Sequence, residues 1–231
     1  MLSTIPLRQI LFLDLETVPQ YEHWNEVPER TKILWEKKTQ FQRKEEISPE
    51  QYYYERSGIL SEFGKIVCLS CGLVIEDKKI RIKSFYGNDE IRILRDFNDL
   101  LKSNYFPPNL LLCAHNGKEF DFPYLARRMV IHQIELPRIL QIQGRKPWEI
   151  PHLDTLDLWK FGDFKHYTSL DLLAYVFNLP SPKSEMEGSE VSKVYYQDKN
   201  MEKIKMYCEN DVVTLINIFR KMRYESPLER E

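Results

Sequence analysis

The chain has 231 residues, of which 42% are apolar, 13% aromatic and 29% charged. This composition suits one globular domain with a sizeable core and excludes a fully disordered or collagen-like chain. Thirty-three basic residues against 35 acidic ones give a net charge of -2. The protein therefore lacks the overall positive field of a non-specific DNA-coating protein, and any nucleic-acid binding has to be local.

The number of cysteines and the hydropathy of the chain indicate in which cellular compartment the protein is expected. The four cysteines, at positions 68, 71, 113 and 208, are too few and too scattered for a disulfide scaffold. The opening segment MLSTIPLRQ has no charged head followed by an apolar stretch. The longest apolar runs, such as 110–114, have about a quarter of the roughly 20 residues that a membrane helix needs. We therefore expect a cytoplasmic protein without a membrane segment.

The first predicted element is a central strand at 10–15, which is apolar on both faces except for Asp14. Aromatic and basic residues are then interleaved over about 19–58, which predicts a helical insertion after this strand. Two interpretations of the insertion stay open. It is an amphipathic cover over the sheet, or a wall of a substrate groove whose aromatic rings stack on bases.

The later elements follow from periodicity, caps and turn residues. Strands are predicted at 65–75, 79–86 and 110–114, the first two forming an antiparallel hairpin through the polar turn 76–78. Helices are predicted at 89–103, 123–133, 169–177 and about 200–222, with a short strand or helix start at 152–159. This order predicts an α/β fold in which helices sandwich a mixed sheet.

Two carboxylates lie at the end of the first strand. Asp14 and Glu16 are two residues apart, so they project from the same face. Repulsion and burial would raise both pKa values, a cost that a divalent cation removes. The alternative is that Glu16 is exposed beyond the strand and Asp14 caps a turn. Asp121 stands just before the helix that Pro123 opens, where a capping role would also explain it.

The last helix carries a carboxylate within its apolar face. The stripe at helical spacing consists of Met201, Ile204, Cys208, Val212, Leu215, Phe219 and Met222. Asp211 falls inside this stripe and needs a partner. Tyr207 lies one turn earlier on the same side, so its hydroxyl and the Asp211 carboxylate can converge. Taken alone, Asp211 would be better explained by an ion pair with a lysine or by capping of a neighbouring group.

Three segments carry a family resemblance. FLDLET at 12–17, HNGKEFD at 115–121 and YCEND at 207–211 resemble, in order, the three exonuclease motifs of the DEDD superfamily, which has a ribonuclease H-like fold. More closely, the chain resembles stand-alone bacterial proteins predicted as 3'-5' exonucleases related to the proofreading domain of family-B DNA polymerases. The segment 183–191 strengthens this resemblance without suggesting a physical role.

The resemblance also implies a set of site residues. Tyr207 stands four residues before the last aspartate, as in the tyrosine subclass, whereas the histidine subclass would have its histidine at the position of Met206. The implied metal ligands and catalytic carboxylates are Asp14, Glu16, Asp121 and Asp211. They would hold two divalent cations, and ligation by oxygen alone favours Mg²⁺ or Mn²⁺. Tyr207 would orient the attacking water.

Substrate contacts are implied at Asn116, Phe120 and Thr17. Phe120 packs against the terminal base or fills the core, and Asn116 contacts the substrate strand or fixes its loop. The resemblance thus predicts a single exonuclease domain over 1–231 that acts on single-stranded 3' ends, DNA being favoured. A catalytically weak nucleic-acid-binding module and a 3'-5' exoribonuclease are the alternatives. Protein partners are not predicted.

Three weaker signals are interpreted structurally. Asp154 is taken as a cap or loop anchor. Cys68 and Cys71 are three apart on a strand and should point to opposite faces, so they do not form half of a zinc site. A few basic residues, among them Arg127 and Arg128, either line a phosphate path or are solvated surface charges.

Overall fold

The computed structural model describes residues 2–75, 79–163, 167–181 and 186–231. Its five strands form one mixed sheet in the order β3-β2-β1-β4-β5. The strands are β1 Ile10–Pro19, β2 Gly64–Val74, β3 Ile80–Tyr86, β4 Leu111–Ala114 and β5 Leu153–Asp154. β2 is antiparallel to β1 and β3, whereas β4 is parallel to β1 and β5. The predicted hairpin is confirmed, and its turn at 76–78 lies outside the described residues.

Eight helices connect or cover the strands in the described parts of the chain. They are α1 Glu29–Thr39, α2 Pro49–Arg56, α3 Glu90–Lys102, α4 Asp121–Ile131, α5 Thr155–Lys160, α6 Leu170–Val176, α7 Val191–Lys193 and α8 Met201–Met222. The mixed sheet flanked by helices confirms the predicted α/β class, which is ribonuclease H-like. Across the described ranges, no helix combines the length and apolar character needed to cross a bilayer.

The alternation of side chains along β1 sets the two faces of the sheet. Leu11, Leu13 and Leu15 belong to the cluster that α3 and α4 cover. Ile10 and Phe12 instead pack with residues of α8. Because Asp14 and Glu16 continue the even-numbered series, their side chains lie on the α8 face. Glu16 is within the strand and only 7% exposed, so the alternative of an exposed Glu16 beyond the strand is wrong.

β1 continues four residues beyond the predicted end. Thr17, Val18 and Pro19 still pair with β2, after a register shift between Glu16 and Thr17. β4 pairs only with the first three residues of β1 and ends at Ala114, which pairs with β5. The carboxyl end of β1 is therefore uncovered on the β4 side, and the loop that follows β4 lies beside it.

The insertion contains the predicted helices, α1 and α2. Its aromatic side chains mostly pack on each other: the Trp35 ring lies 5.4 Å from Tyr53 and 5.0 Å from Phe63, and Trp24 lies 5.3 Å from Tyr53. Burial of these rings favours the cover interpretation for them, because a buried ring is not available to a base. Phe41 differs, being 91% exposed.

Arg128 corrects the interpretation of the basic residues, since it is only 2% exposed. Its guanidinium forms a buried ion pair with Glu90 on α3 and donates to the carbonyl of Ser61 at 2.8 Å. The Glu90 carboxylate also accepts from the N–H of Ile66 at 2.7 Å. Arg128 is therefore neither solvated nor on a phosphate path. It fixes α4 to α3 and to the end of the insertion.

The helical turns between 188 and 198 were not predicted. They comprise a 3-10 turn Gly188–Glu190, α7, and a π-helical turn Val194–Asp198. Val191, Val194 and Tyr195 are buried against α8, in one cluster with Tyr207 and Cys208. Turns this short carry no complete hydrophobic period, so their helicity depends on this tertiary contact.

Candidate active site

The centre of the site lies between β1 and α8. One ligand atom each from Asp14, Glu16 and Cys208 lies within 4.8 Å of the others. The Cys208 thiol donates to the backbone carbonyl of Asp14 at 3.4 Å. α8 also contacts β3, because buried Glu209 accepts a hydrogen bond from Ser84 at 2.7 Å.

Tyr207 and Asp211 complete the α8 side of the site. They are one helical turn apart and share a side-chain hydrogen bond. Burial raises the pKa of Tyr207 well above its ordinary value, and the charges of Asp211, Glu16 and Asp14 raise it further. The Tyr207 hydroxyl therefore keeps its proton at neutral pH and is a hydrogen-bond donor rather than a base.

Asp121 reaches the site from the other direction. It is the first residue of α4 and is 3% exposed. Its carboxylate accepts hydrogen bonds from its own N–H and from the N–H of Leu15, next to Asp14. A capping role alone does not account for Asp121, because this contact ties its carboxylate to β1.

The loop between β4 and α4 is built around Asp154. The Asp154 carboxylate accepts from the N–H groups of Asn116 at 2.9 Å and Lys118 at 3.0 Å, and from Leu156 at 2.9 Å where α5 begins. The interpretation of Asp154 as a loop anchor and helix cap is confirmed. A Cβ at Gly117 would lie 2.4 Å from the Ala114 side chain, so the loop can approach β4 only with glycine there.

His115 gives the same loop a second anchor. Its Nε2–H donates to the carbonyl of Thr168 at 2.8 Å, and its Nδ1 lies 2.9 Å from the Thr155 hydroxyl. Burial lowers the pKa of His115. With both ring nitrogens engaged and the ring neutral, His115 holds the loop to the start of α6 rather than acting as an acid or base.

The carboxylates strongly disfavour each other's ionisation. Burial raises the pKa of Asp14, and the charges of Asp211 and Asp121 raise it further. Burial likewise raises the pKa of Glu16, followed by the charge of Asp14. Burial raises the pKa of Asp121 to about 8, Asp154 adds to this, and the two N–H hydrogen bonds act against it. No cationic side chain is among the main causes that act on these three pKa values within the described residues.

A divalent cation fits this environment. The Oδ2 atom of Asp14 is buried and has no hydrogen-bond partner among the residues that the structure describes. Such an atom costs free energy unless a ligand satisfies it. Hard carboxylate oxygens with raised pKa values are the donors that Mg²⁺ and Mn²⁺ accept, since a bound cation lowers those pKa values again.

The three implied substrate residues lie at different places. Thr17 is on the α4 face of β1 and shares a hydrogen bond with the Tyr124 hydroxyl. Phe120 is partly buried, and its ring lies 5.3 Å from that of Tyr124. Asn116 occupies the left-handed region with a φ of 62° and anchors the loop through its backbone. The structure thus shows core packing for Phe120 and loop fixing for Asn116, and substrate contacts of either residue stay a prediction.

The structure adds neighbours that the sequence did not single out for the site. Tyr167 is 68% exposed, and its ring lies 6.4 Å from that of His115. Gly188 approaches the Tyr207 hydroxyl, because a Cβ on Gly188 would be 3.7 Å from it. Part of the segment 183–191 therefore lies over Tyr207, and its residues 183–185 lie outside the described ranges.

The sequence of this chain matches the model of a known protein family. Residues 59–230 match a family model described as a predicted 3'-5' exonuclease related to the exonuclease domain of PolB. The chain belongs to this family. The matched range contains Asp121, Tyr207 and Asp211, whereas Asp14 and Glu16 precede it and join the site through the fold.

A solved structure shows the same architecture as this exonuclease-family chain. The family B DNA polymerase from the hyperthermophilic archaeon Pyrobaculum calidifontis matches with a TM-score of 0.57 and 16% sequence identity. The match covers 93% of this chain and 24% of the polymerase chain, so the protein spans about a quarter of the polymerase's length. Comparison with curated proteins gives no match.

The pKa of Asp121 leads to a prediction about stability. The folded protein retains a proton on Asp121 up to about pH 8, whereas the unfolded chain releases it near pH 4. Stability of the metal-free protein should therefore fall as pH rises between these values. Asp121→Asn should remove this loss and be more stable than the wild type at pH 8 by about 2 kcal/mol. This value is part of the roughly 5.5 kcal/mol that the full difference between pH 4 and pH 8 corresponds to, at about 1.4 kcal/mol per pH unit.

Urea unfolding in a chelator at several pH values measures this difference. The gap in unfolding free energy between Asp121→Asn and the wild type should widen from about pH 5 to about pH 8. Asp96→Asn, at an exposed position on α3, is the matched control and should follow the wild type. Parallel pH profiles for Asp121→Asn and the wild type would contradict the raised pKa.

Proposed function

We propose that the protein is a metal-dependent 3'-5' exonuclease that hydrolyses phosphodiester bonds at the 3' end of single-stranded nucleic acid, with DNA as the favoured substrate. The observation that carries the proposal is the buried cluster of Asp14, Glu16, Asp121 and Asp211 beside the protonated Tyr207 hydroxyl. Membership in the exonuclease family supports the same reaction class.

The carboxylates are the residues that would hold the metal ions. Asp14 would contact two divalent cations, with Glu16 and Asp211 on one of them and Asp121 on the other. When bound, such ions make water acidic enough to attack at neutral pH and stabilise the charge of the leaving 3' oxygen. Four carboxylates match most of the charge of two divalent ions. The unpartnered Oδ2 of Asp14 fits a residue that contacts both.

Tyr207 orients the attacking water in this proposal. Its raised pKa rules out a tyrosinate base near neutral pH, so the hydroxyl donates or accepts a hydrogen bond without giving up its proton. The hydrogen bond with Asp211 and the buried cluster around the ring fix the direction of this hydroxyl. A fixed donor needs no reorganisation during the reaction.

The substrate strand would enter at the loop before α4. Asn116 and Phe120 lie on this loop and Thr17 at the end of β1, which brings all three to the carboxyl ends of the two central strands. The Phe120 ring is partly buried and lies 5.3 Å from that of Tyr124, and in this proposal its exposed part would contact the terminal base. We further propose that residues 1–231 act as one exonuclease domain, in the cytoplasm.

A linear and a circular single strand together test the direction of cleavage and its need for a free end. A 5'-labelled linear single strand should be shortened stepwise from its 3' end in the presence of Mg²⁺ or Mn²⁺, and a circle of the same sequence should survive. The reason is that the proposed site accommodates a free terminus. Gel analysis of the product ladder, with a chelator as the metal-free control, measures both substrates.

The alternatives give different results in the same assay. Rapid fragmentation of the circles would show endonuclease action and contradict the proposal. Preferential degradation of a matched RNA strand would identify an exoribonuclease instead. Tight binding of the linear strand without any metal-dependent hydrolysis would identify a nucleic-acid-binding module of the same fold.

A further inference from the structure

Cys208 is a thiol that the proposed reaction does not use, although it lies inside the carboxylate cluster. We propose that Cys208 acts as a sulfur ligand which, with Asp14 and Glu16, forms a site for a thiophilic divalent cation such as Zn²⁺ or Cd²⁺. Binding of this cation would compete with Mg²⁺ or Mn²⁺ and inhibit the nuclease. The inhibition rests on the proposed function, whereas the sulfur ligation does not.

The positions of the donor atoms support three-residue ligation. The ligand atoms of Asp14, Glu16 and Cys208 lie within 4.8 Å of one another. Two ligands of one tetrahedral zinc ion are roughly 3.5 Å apart, from bond lengths of about 2.0–2.3 Å. Side-chain rotations and shifts of about 1 Å therefore bring the three atoms to bonding distance. The contact of Sγ with the Asp14 carbonyl at 3.4 Å directs the thiol toward β1.

A second observation points to a ligand independently of the thiol. The Oδ2 atom of Asp14 is buried and unpartnered. Glu16 is only 7% exposed, and one of its carboxylate oxygens lies within 4.8 Å of a carboxylate oxygen of Asp14. A buried, unpaired carboxylate oxygen that faces a second carboxylate is satisfied by a cation more readily than by any neighbouring group of the chain.

The identity of the cation follows from the donor set. Magnesium and manganese prefer oxygen ligands, while a thiolate favours zinc and cadmium. On binding, the S–H bond is replaced by a sulfur–metal bond and the thiol proton is released to the buffer, without any change of oxidation state. A cation held by Cys208 would also occupy Asp14 and Glu16, so these two carboxylates would no longer be free to hold Mg²⁺ or Mn²⁺.

Cys68 and Cys71 provide the comparisons. Cys68 lies opposite Glu16 in the sheet register, contacts the Ser70 hydroxyl and shares a hydrogen bond with Cys208. Cys71 is on the other face of the sheet and donates to the carbonyl of Lys83 at 3.4 Å. A serine at 71 can donate to the same carbonyl. Cys71→Ser is therefore the matched control for Cys208→Ser, because it also removes a buried thiol but lies away from the carboxylate cluster.

The test is a titration of the metal-free full chain with Cd²⁺. In the wild type, a sulfur-to-cadmium charge-transfer band in the ultraviolet should grow and saturate at one equivalent. Cys208→Ser should lose the band and bind Cd²⁺ at least about tenfold more weakly by calorimetry. Cys71→Ser should keep the charge-transfer band and the wild-type affinity for Cd²⁺. Serine at 208 can still donate to the Asp14 carbonyl, and circular dichroism checks that the variant is folded.

Several results would overturn the sulfur site. The first is the absence of the band in the wild type. The second is its retention in Cys208→Ser, and additional loss in Cys68→Ser would then assign the sulfur ligand to Cys68. Cadmium-113 NMR of the wild type, which distinguishes sulfur from oxygen-only ligation, decides the matter even if Cys208→Ser does not fold. A chemical shift in the oxygen-only range would reject the proposal.

Nuclease assays separate this inference from the proposed function. In Mn²⁺ reactions, Cys208→Ser should need at least about ten times more Cd²⁺ than the wild type or Cys71→Ser for half inhibition of its own rate. A wild type that hydrolyses DNA without showing the band rejects the sulfur site alone. A wild type that shows the band but hydrolyses nothing rejects the exonuclease function and leaves the sulfur site intact.

Discussion

Asp14→Asn is expected to reduce nuclease activity by at least about a thousandfold while the protein remains folded. Asparagine is nearly isosteric with aspartate, but it removes the charge of the residue that would contact both cations. The expected loss exceeds the roughly 10²–10³-fold attributed to a single hydrogen-bond donor, because cation binding itself is affected. Single-turnover hydrolysis of a labelled single strand at saturating Mn²⁺ measures it.

A stability measurement accompanies this activity measurement. In metal-free buffer, Asp14→Asn should unfold at the wild-type temperature or above it, since repulsion with Asp211 and Asp121 is relieved. Asp96→Asn should leave both activity and stability unchanged. A folded Asp14→Asn protein that degrades DNA at the wild-type rate would rule out the proposed metal site.

Tyr207→Phe is expected to slow hydrolysis by about ten- to a thousandfold with little change in metal affinity. The substitution keeps the ring in its buried cluster and deletes only the hydroxyl. Positioned donors and general acid-base groups contribute effects of this size. The four carboxylates remain, so Mn²⁺ titration by calorimetry should give nearly the wild-type affinity.

Tyr195→Phe is the matched control for this substitution. Tyr195 belongs to the same cluster as Tyr207 but lies on the π-helical turn. Its variant should hydrolyse at the wild-type rate. An unchanged rate in Tyr207→Phe would reduce Tyr207 to a packing residue, whereas a large loss of Mn²⁺ binding would assign its hydroxyl to the metal site.

The local patterns of the sequence determined most elements of the fold. Apolar alternation, helical spacing and caps such as Asp89 and Ser169 depend on neighbouring residues, so they are readable without a tertiary structure. The same holds for Asp211, whose place in an apolar stripe marked it as a buried carboxylate. The motif spacing then indicated the exonuclease family, to which the chain belongs.

The tertiary structure alone decided which side chains surround these motifs. Arg128 became a buried ion-pair partner because Glu90, 38 residues earlier, faces it across two helices. Cys208 joined Asp14 and Glu16, and the turns after residue 187 covered Tyr207, through contacts between segments far apart in the chain. No local pattern encodes such contacts, since they depend on the order of the strands and on which face of the sheet each helix covers. The local sequence thus determined the carboxylates and the tyrosine, and the packing of α8 on β1 decided that a thiol lies among them.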